Sequence, residues 1–252
     1  MKADSISAPE GATTLTTKDD AEIIAAWATY NQAREIYDTT SDEGPYIMGV
    51  NAAQQAQIDI MDPAENLIGD AVPQTLRGVE VLLWSMLVHS ADTQEAATLA
   101  RTEQLDACPD HFDWIDCHAV NAIRAVRGIT AKPEENDAAI ISAWERRLAA
   151  FDVLQELPDN PQGEGETPER AAQWAIVDAA EAEIQSAVAC TPRGAELQIW
   201  TSVTFLFDSA EDEAPCYRAD FDYFAAKGDA LDWTERLLLA AIRSLRAMGG
   251  AK

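Results

Sequence analysis

The stretch Ala64–Trp84, AENLIGDAVPQTLRGVEVLLW, is the most informative part of the sequence because a second version of it, AEAEIQSAVACTPRGAELQIW, occupies Ala180–Trp200. Aligned at a shift of 116 positions, the two versions share ten identical residues, among them Arg77, Glu80 and Trp84 of the first. Self-similarity at a fixed spacing is the signature of a repeated structural unit. The alignment therefore predicts that the two stretches fold in the same way.

Two further pairs of segments extend this repeat in both directions. Ala21–Trp27 returns as Ala138–Trp144 at a shift of 117, and Asp113-Trp114 returns as Asp232-Trp233 at a shift of 119. Because tryptophan is rare, three matched tryptophan pairs at nearly one spacing indicate a tandem duplication. Short loop insertions and deletions explain the small drift in the shift.

Alanine and straight-chain residues dominate both copies, which favours helix. We expect a first helix over about 19–38 in one copy and 137–154 in the other. A second helical part starts near residue 50 in the first copy and at the Thr167-Pro168 cap in the second. It is broken ahead of Thr75, because Pro73 disfavours helix before it.

The same break is expected at Thr191, where Pro192 follows a threonine cap. Gly78 and Gly194 lie in the first turn after the two breaks, and glycine there predicts the close approach of another backbone. A third helix begins at a D-x-x-[DE] capping box, at Asp113 and again at Asp232.

Together these patterns predict an all-α protein, a tandem duplication of a three-part helical unit that forms a pseudo-twofold helical bundle. The predicted organisation is a flexible N-terminal tail over 1–18, one helical unit over 19–130 and a second over 131–252, expected to form one compact domain. Whether the chain is a monomer or a homodimer is left open.

The net charge of −26, from 44 acidic and 18 basic residues, argues against direct binding of nucleic acid, which requires clustered lysine and arginine. Two interpretations remain. The acidic surface could meet a basic or nucleic-acid-binding protein, as a nucleic-acid mimic would, or it could reflect a generally acidic proteome such as those of salty habitats.

No apolar run reaches the roughly 18–20 residues that span a bilayer, and Met1–Asp20 has no secretory pattern. The four cysteines form no regular framework, which favours free thiols. We therefore expect a cytoplasmic protein that does not bind a membrane.

The pattern A-V-x-x-T-x-x-G followed by leucine, at Ala71–Leu82 and Ala187–Leu197, resembles a group of uncharacterised helical proteins from alphaproteobacteria and their mobile elements. This resemblance covers part of each copy. It implies a bacterial, cytoplasmic accessory protein and assigns no activity.

Possible chemistry rests on few residues. Cys108, His111, Cys117 and His118 carry thiolate and imidazole groups that could hold zinc, but their spacing matches no known structural finger and the second copy has no equivalent. No metal site is therefore predicted, these four residues being the candidate ligands if there is one, and no cofactor is predicted.

Three carboxylate pairs recur between the copies: Glu65 with Glu181, Glu80 with Glu196 and Asp113 with Asp232. Facing carboxylates can perform acid–base catalysis when burial separates their pKa values. Capping and intrahelical ion pairs are the simpler interpretation, and nucleotide-binding and hydrolase motifs are missing from the sequence, so we expect a protein that is not an enzyme.

Arg77 and Arg193 stand three residues before Glu80 and Glu196, a spacing that predicts an ion pair within one helix, with a shared anionic ligand as the alternative. Trp84 and Trp200 are expected in the core, or else in an aromatic pocket between the two units.

The sequence thus favours a non-enzymatic acidic protein that binds a protein partner, such as a phage or mobile-element inhibitor. The alternative is a small-molecule-binding helical bundle whose pocket lies near Trp84 and Trp200.

Overall fold

The computed structural model describes residues 18–40, 50–91, 93–104, 114–129, 137–158, 165–206 and 209–249. Within these ranges the chain forms helices joined by turns, without a strand, which confirms the all-α prediction. The helices are α1 (Lys18–Thr40), α2 (Ala52–Gly69), α3 (Leu76–Ser90), α4 (Gln94–Arg101), α5 (Trp114–Ile129), α6 (Ala138–Glu156), α7 (Pro168–Ser186), α8 (Pro192–Leu206), α9 (Ala210–Tyr217), α10 (Phe221–Lys227) and α11 (Trp233–Gly249). A short 3-10 turn, Gly228–Ala230, follows α10.

Four helices, α3, α5, α8 and α11, form the inner layer. α3 contacts both α5 and α11, and α8 contacts the same two helices, so the four close into a ring to which each half of the chain contributes two helices. The ring contains most of the core, including the completely buried Leu82, Leu83, Leu237 and Ile242. Each such side chain contributes about 1.5–3 kcal/mol relative to an exposed one, so this ring is the main source of stability.

Two helical hairpins pack on the outside of this ring. The first outer hairpin (α1 and α2) packs on α3, and the second outer hairpin (α6 and α7) packs on α8. The first buries Ile23 and Trp27, and the second buries Ile140 and Trp144. A helix with one apolar stripe needs a partner to cover that stripe, so each hairpin depends on the inner helix beneath it.

Threonine caps begin both inner helices at the predicted breaks. Thr75 Oγ1 accepts a hydrogen bond from the Gly78 N–H, and Thr191 Oγ1 accepts one from the Gly194 N–H, each at 3.2 Å. An N-cap of this kind is worth about 0.5–2 kcal/mol relative to alanine. The predicted interruptions at these threonines are confirmed.

The other predicted helix starts have the expected caps where the structure describes them. Thr167 caps α7 with proline at the first helical position. Asp232 and Glu235 form a reciprocal capping box before α11, with both hydrogen bonds at 2.8 Å. Its counterpart at Asp113 lies outside the described residues.

Gly78 and Gly194 accommodate close neighbours, but these are carboxylates rather than another helix backbone. A Cβ atom at Gly78 would lie 3.1 Å from the Asp20 carboxylate and 2.7 Å from the ring of Pro73. At Gly194 it would lie 2.1 Å from an oxygen of Asp137. The expected close contact is present, and the prediction that a backbone makes it is wrong.

Those aspartates join each outer hairpin to the segment ahead of an inner helix. Asp20 accepts a 2.8 Å hydrogen bond from the Gln74 N–H. Asp137 accepts hydrogen bonds from the backbone N–H groups of Cys190 and Thr191, at 2.7 and 3.0 Å. Both carboxylates are about 95% buried, so these bonds form in a poorly solvated place where they are strong.

Three short helices, α4, α9 and α10, were not predicted. α4 packs on α3 through Ala96 and Ala100, and α9 packs on α8. Seven or eight residues give too few turns for a periodic pattern to stand out, and alanine contacts carry little hydrophobic signal. Packing against the neighbouring helices, rather than a local sequence pattern, therefore stabilises these three helices.

Candidate functional site

A buried carboxylate cluster surrounds Glu80 on α3. Glu80 Oε1 accepts hydrogen bonds from Trp84 Nε1 at 3.1 Å and Arg127 Nε at 2.6 Å, while Oε2 lies 3.0 Å from Arg77 Nη1. The guanidinium of Arg127 also lies 5.6 Å from the centre of the Trp84 ring. Because Arg127 is on α5, this Glu80 cluster ties two inner helices together.

Glu103, which follows α4, adds a second carboxylate to the Glu80 cluster. Its two oxygens accept hydrogen bonds from Arg77 at 2.6 and 2.9 Å, and Oε1 also accepts one from Trp27 Nε1 at 3.0 Å. Burial by itself would raise the pKa of Glu103, but the hydrogen bonds from Arg77 and Trp27 outweigh it and lower the pKa. Glu103 therefore stays ionised and links the first outer hairpin to α3.

A matching Glu196 cluster lies on α8. Glu196 Oε1 accepts hydrogen bonds from Trp200 Nε1 at 3.3 Å and Arg246 Nε at 2.5 Å, and Oε2 accepts one from Arg193 Nη1 at 2.6 Å. Arg246 belongs to α11 and lies 5.9 Å from the Trp200 ring centre. The same three kinds of donor thus hold both glutamates.

The two clusters differ in what the second arginine contacts beyond its glutamate. Arg127 Nη2 lies 3.5 Å from Glu103, whereas Arg246 Nη2 donates a 3.0 Å hydrogen bond to the backbone carbonyl of Ala219. Glu103 and Ala219 are 116 positions apart and both have a positive φ, 54° and 53°. Positive φ is uncommon away from glycine, so the chain makes the same tight turn at both places.

The predicted ion pairs Arg77–Glu80 and Arg193–Glu196 are present, and Trp84 and Trp200 are completely buried core residues that line no open surface. Sequence reasoning missed that Arg127 and Arg246 complete the clusters, although both recur at a shift of 119. Since three donors engage each glutamate, the geometry suits a structural tie better than proton transfer.

A buried ion pair lies within the second outer hairpin. The Arg147 side chain is completely buried, donates a 2.8 Å hydrogen bond to Glu181 and a 2.6 Å hydrogen bond to the hydroxyl of Thr204. Its guanidinium lies 3.9 Å from the ring centre of Tyr217, which stacks on Phe151. Burial raises the pKa of Glu181, and Arg147 opposes that rise.

In the first half of the chain, Tyr30 and Glu65 stand at the positions that correspond to Arg147 and Glu181, and their surroundings are different. Glu65 lies 3.5 Å from His89 Nε2, and the ring of His89 contacts those of Tyr30 and Trp233.

Burial, followed by the nearby Glu65, raises the pKa of Tyr30 to about 12, while burial and Arg34 lower the pKa of His89. Burial and the charge of Asp62 raise the pKa of Glu65. These pKa shifts favour the neutral forms of Tyr30, His89 and Glu65. Glu65 pairs with His89 of α3 and Glu181 pairs with Arg147 of its own hairpin, so the two glutamates do not pair with one another.

The candidate zinc ligands fall largely outside the structural description. Cys108 and His111 lie outside the described residues, and Cys117 and His118 lie on α5 in its part without described side chains. Among the residues that are described, no group of three or more His, Cys, Asp or Glu side chains could hold a metal ion. The metal hypothesis stays a prediction.

The outer faces of both hairpins combine carboxylates with exposed apolar side chains. The large apolar residues, each between 39% and 44% exposed, are Ile36, Ile60 and Leu67 on the first hairpin and Ile141, Val153 and Ile176 on the second. Ile36 corresponds to Val153 at a shift of 117, and Ile60 corresponds to Ile176 at a shift of 116. The two hairpins therefore present apolar residues at matching positions.

Comparison with known proteins gives no match to a family model, a curated protein or a solved structure. Over the described part of the chain, the helices are too short or too polar to cross a bilayer. Function has to be argued from the molecule itself.

Proposed function

We propose that this protein is a non-enzymatic interaction protein whose two outer hairpins bind a basic protein partner. The observation that carries the proposal is the exposed apolar residues on those hairpins, set among carboxylates. A partner of matching chemistry has lysine or arginine around an apolar strip. Proteins that bind nucleic acid through a basic groove belong to this class, and occlusion of such a groove would make the protein an inhibitor.

Charge composition supports the acidic character of the hairpins. The helices α1 and α2 contain eight acidic and two basic residues, and α6 and α7 contain seven acidic and three basic residues. Complementary potentials accelerate encounter and select against the wrong partners, while apolar contacts supply most of the affinity.

The basic residues of the hairpins are largely engaged in ion pairs. Arg34 pairs with Asp38, Arg146 with Glu183, and the buried Arg147 with Glu181. Arg170 pairs with Glu166 just before α7. Exposed carboxylates such as Glu35, Asp59, Glu145 and Asp178 thus set the potential that a partner would meet.

A synthetic helical peptide with lysine on one face and leucine on the other tests the proposal by fluorescence anisotropy. We expect binding that weakens steeply as salt is added, because exposed charges are screened. Ile60→Ser and Ile176→Ser should each weaken binding at the substituted hairpin by about tenfold, which is ~1.4 kcal/mol, and leave binding at the other hairpin unchanged.

Val188→Ser is the matched control, since Val188 is 61% exposed yet lies between α7 and α8 rather than in a hairpin helix. It should leave the affinity unchanged. The proposal is wrong if the peptide does not bind, if salt has no effect, or if the control weakens binding as much as the two hairpin variants do. Failure to bind would favour the alternative that the acidity serves solubility alone.

We also propose that the chain arose by tandem duplication and that its halves are arranged about a pseudo-twofold axis. The Glu80 and Glu196 clusters support this, as do the Asp20 and Asp137 contacts and the exposed isoleucines at matching positions. Two related hairpins would give two docking surfaces per chain, so the peptide should bind with a stoichiometry of two.

A further inference from the structure

A cleft of about 260 Å³ opens between the two halves of the chain. One wall is the end of α2 and the segment after it, Gly69–Val72, and the other wall is α11, while Ala225, Gly228 and Leu231 complete the lining. Ligand sites often lie where separate structural units meet. Its volume is below the roughly 300–1,000 Å³ of pockets for drug-sized molecules, so only a small ligand fits.

Two arginines of α11, Arg236 and Arg243, line this cleft and are exposed. Of the thirteen arginines in the described ranges, only these two and Arg124 make no salt bridge. In a chain with 44 acidic residues and 18 basic ones, an arginine without a carboxylate partner is unusual. Arg236 and Arg243 lie on the same face of α11. Two such arginines on one face indicate a site that binds an anion from outside the chain.

Aromatic rings hold both guanidinium groups in place. The Arg236 guanidinium lies 5.9 Å from the ring centre of Trp233, and that of Arg243 lies 5.4 Å from the ring centre of Phe221. Stacking on a ring restrains a guanidinium and leaves the N–H groups at its edges available to donate a bidentate pair of hydrogen bonds to a carboxylate.

The spacing of the two arginines specifies the shape of the ligand. They are seven positions apart, which is two helical turns and about 10 Å along the axis. Leu239 and Ala240 lie between them in the cleft wall and are at most 8% exposed. A molecule that meets all of these features has an anionic group at each end and an apolar body between them.

We propose that this cleft binds a small aliphatic dicarboxylate, with one carboxylate on Arg236, the other on Arg243 and the methylene groups against Leu239 and Ala240. The carboxylate of Asp70 lies on the opposite wall and repels the ligand, so both ligand carboxylates face α11. This site is separate from the outer hairpins and does not depend on the proposed protein partner.

Adipate is the probe, titrated into the full-length protein and followed by backbone amide NMR shifts. We expect a dissociation constant in the millimolar range or tighter, with shifts confined to the cleft walls. Arg236→Ala and Arg243→Ala should each weaken binding by at least tenfold, and Asp70→Asn should strengthen it severalfold because a repulsive charge is removed.

Arg124→Ala is the matched control. Arg124 corresponds to Arg243 at a shift of 119, and it likewise lacks a salt bridge in the described part of the chain, but it lies on α5 away from the cleft. Adipate should bind this variant as it binds the wild type. Hexanoate, with one carboxylate, should bind at least tenfold more weakly than adipate.

Three results would overturn the site: no shifts with adipate, equal loss in Arg124→Ala and Arg243→Ala, or equal affinity for hexanoate and adipate. The second result would mean that adipate senses only the overall charge. The lysine–leucine peptide experiment uses other residues and another probe, so the two proposals fail independently.

Discussion

Glu65 and Glu181 lie 116 positions apart on corresponding helices, and the two halves of the molecule hold them in different ways. Glu181 meets the fully buried Arg147, while Glu65 meets His89, with Tyr30 at the position that corresponds to Arg147. The side chain of Glu65 is 28% exposed and that of Glu181 is 8% exposed. Water therefore solvates the first carboxylate in part, and the second depends on its arginine.

This difference shows that two segments of similar sequence can hold a glutamate in very different electrostatic surroundings. A buried ion pair is stable when each charge has its partner, and it becomes costly when one charge is removed. A partly exposed carboxylate such as Glu65 depends less on its partner, because water replaces a lost partner in part. We therefore expect the second half of the molecule to be the more sensitive to substitution.

Replacement of Arg147 should have the largest effect. Arg147→Ala leaves Glu181 buried without its cation and leaves a void beside Tyr217, so we expect a loss of about 3–5 kcal/mol in the free energy of unfolding. Urea denaturation of the purified protein measures this loss. Tyr30→Phe, the corresponding change in the first half, should cost only about 1 kcal/mol.

The neighbouring Arg146 gives the control for Arg147. Its ion pair with Glu183 is nearly half exposed on both sides, so Arg146→Ala should cost less than about 1 kcal/mol. Similar losses for Arg146→Ala and Arg147→Ala would contradict the importance that we assign to burial.

Alanine at the two helix-start glycines should produce the next largest effect. Gly194→Ala places a Cβ atom against the Asp137 carboxylate, which two backbone N–H groups already hold, so we expect a loss of about 1–3 kcal/mol. Gly78→Ala should cost less, because Asp20 is farther away and accepts one backbone hydrogen bond. Thermal unfolding of both variants makes this comparison, and a larger effect at Gly78 would show that the ring of Pro73 is the stiffer neighbour.

After the substitutions of Arg147 and of the two glycines, the third and smallest of the main effects concerns Glu103, which has Ala219 as its counterpart. Because its pKa is lowered in the folded protein, Glu103 stabilises the fold above the ordinary glutamate pKa of 4.5, and this contribution is lost as the pH falls through the lowered value. Glu103→Gln should cost about 1–2 kcal/mol near neutral pH, through weaker hydrogen bonds from Arg77. Urea denaturation over a pH series should show the wild type and the variant converging in acid. A difference that grows as the pH falls would reverse the sign that we assign.

Much of the local structure was predictable because its causes lie within a few residues. Threonine caps at Thr75, Thr167 and Thr191 and the capping box at Asp232 begin helices as predicted. The ion pairs of Arg77 and Arg193 with glutamates three residues later also follow from helical spacing alone.

Contacts between side chains that are far apart in the sequence were not predictable in this way. Arg127 and Glu103 join Glu80 only after α5 and the end of α4 have packed beside α3, and nothing in the sequence near Glu80 identifies them. The repeat of Arg127 as Arg246 was visible, yet it gave no role without the neighbouring helices. The cleft beside α11 is likewise a product of packing, since its two walls come from segments that are far apart in the sequence, 69–72 and 225–243.

Propensity, capping and composition act locally, so the sequence alone was enough to predict that the protein is helical, where its principal helices begin, and that it carries a strong negative charge. Packing of the helices then set which charges are buried, which arginines remain without a carboxylate and where the two halves leave a cleft. These features could not be predicted because burial and electrostatic pairing depend on distances between side chains that are far apart in the chain. Two hairpins with matching sequences could therefore bury Arg147 in one half and Tyr30 in the other.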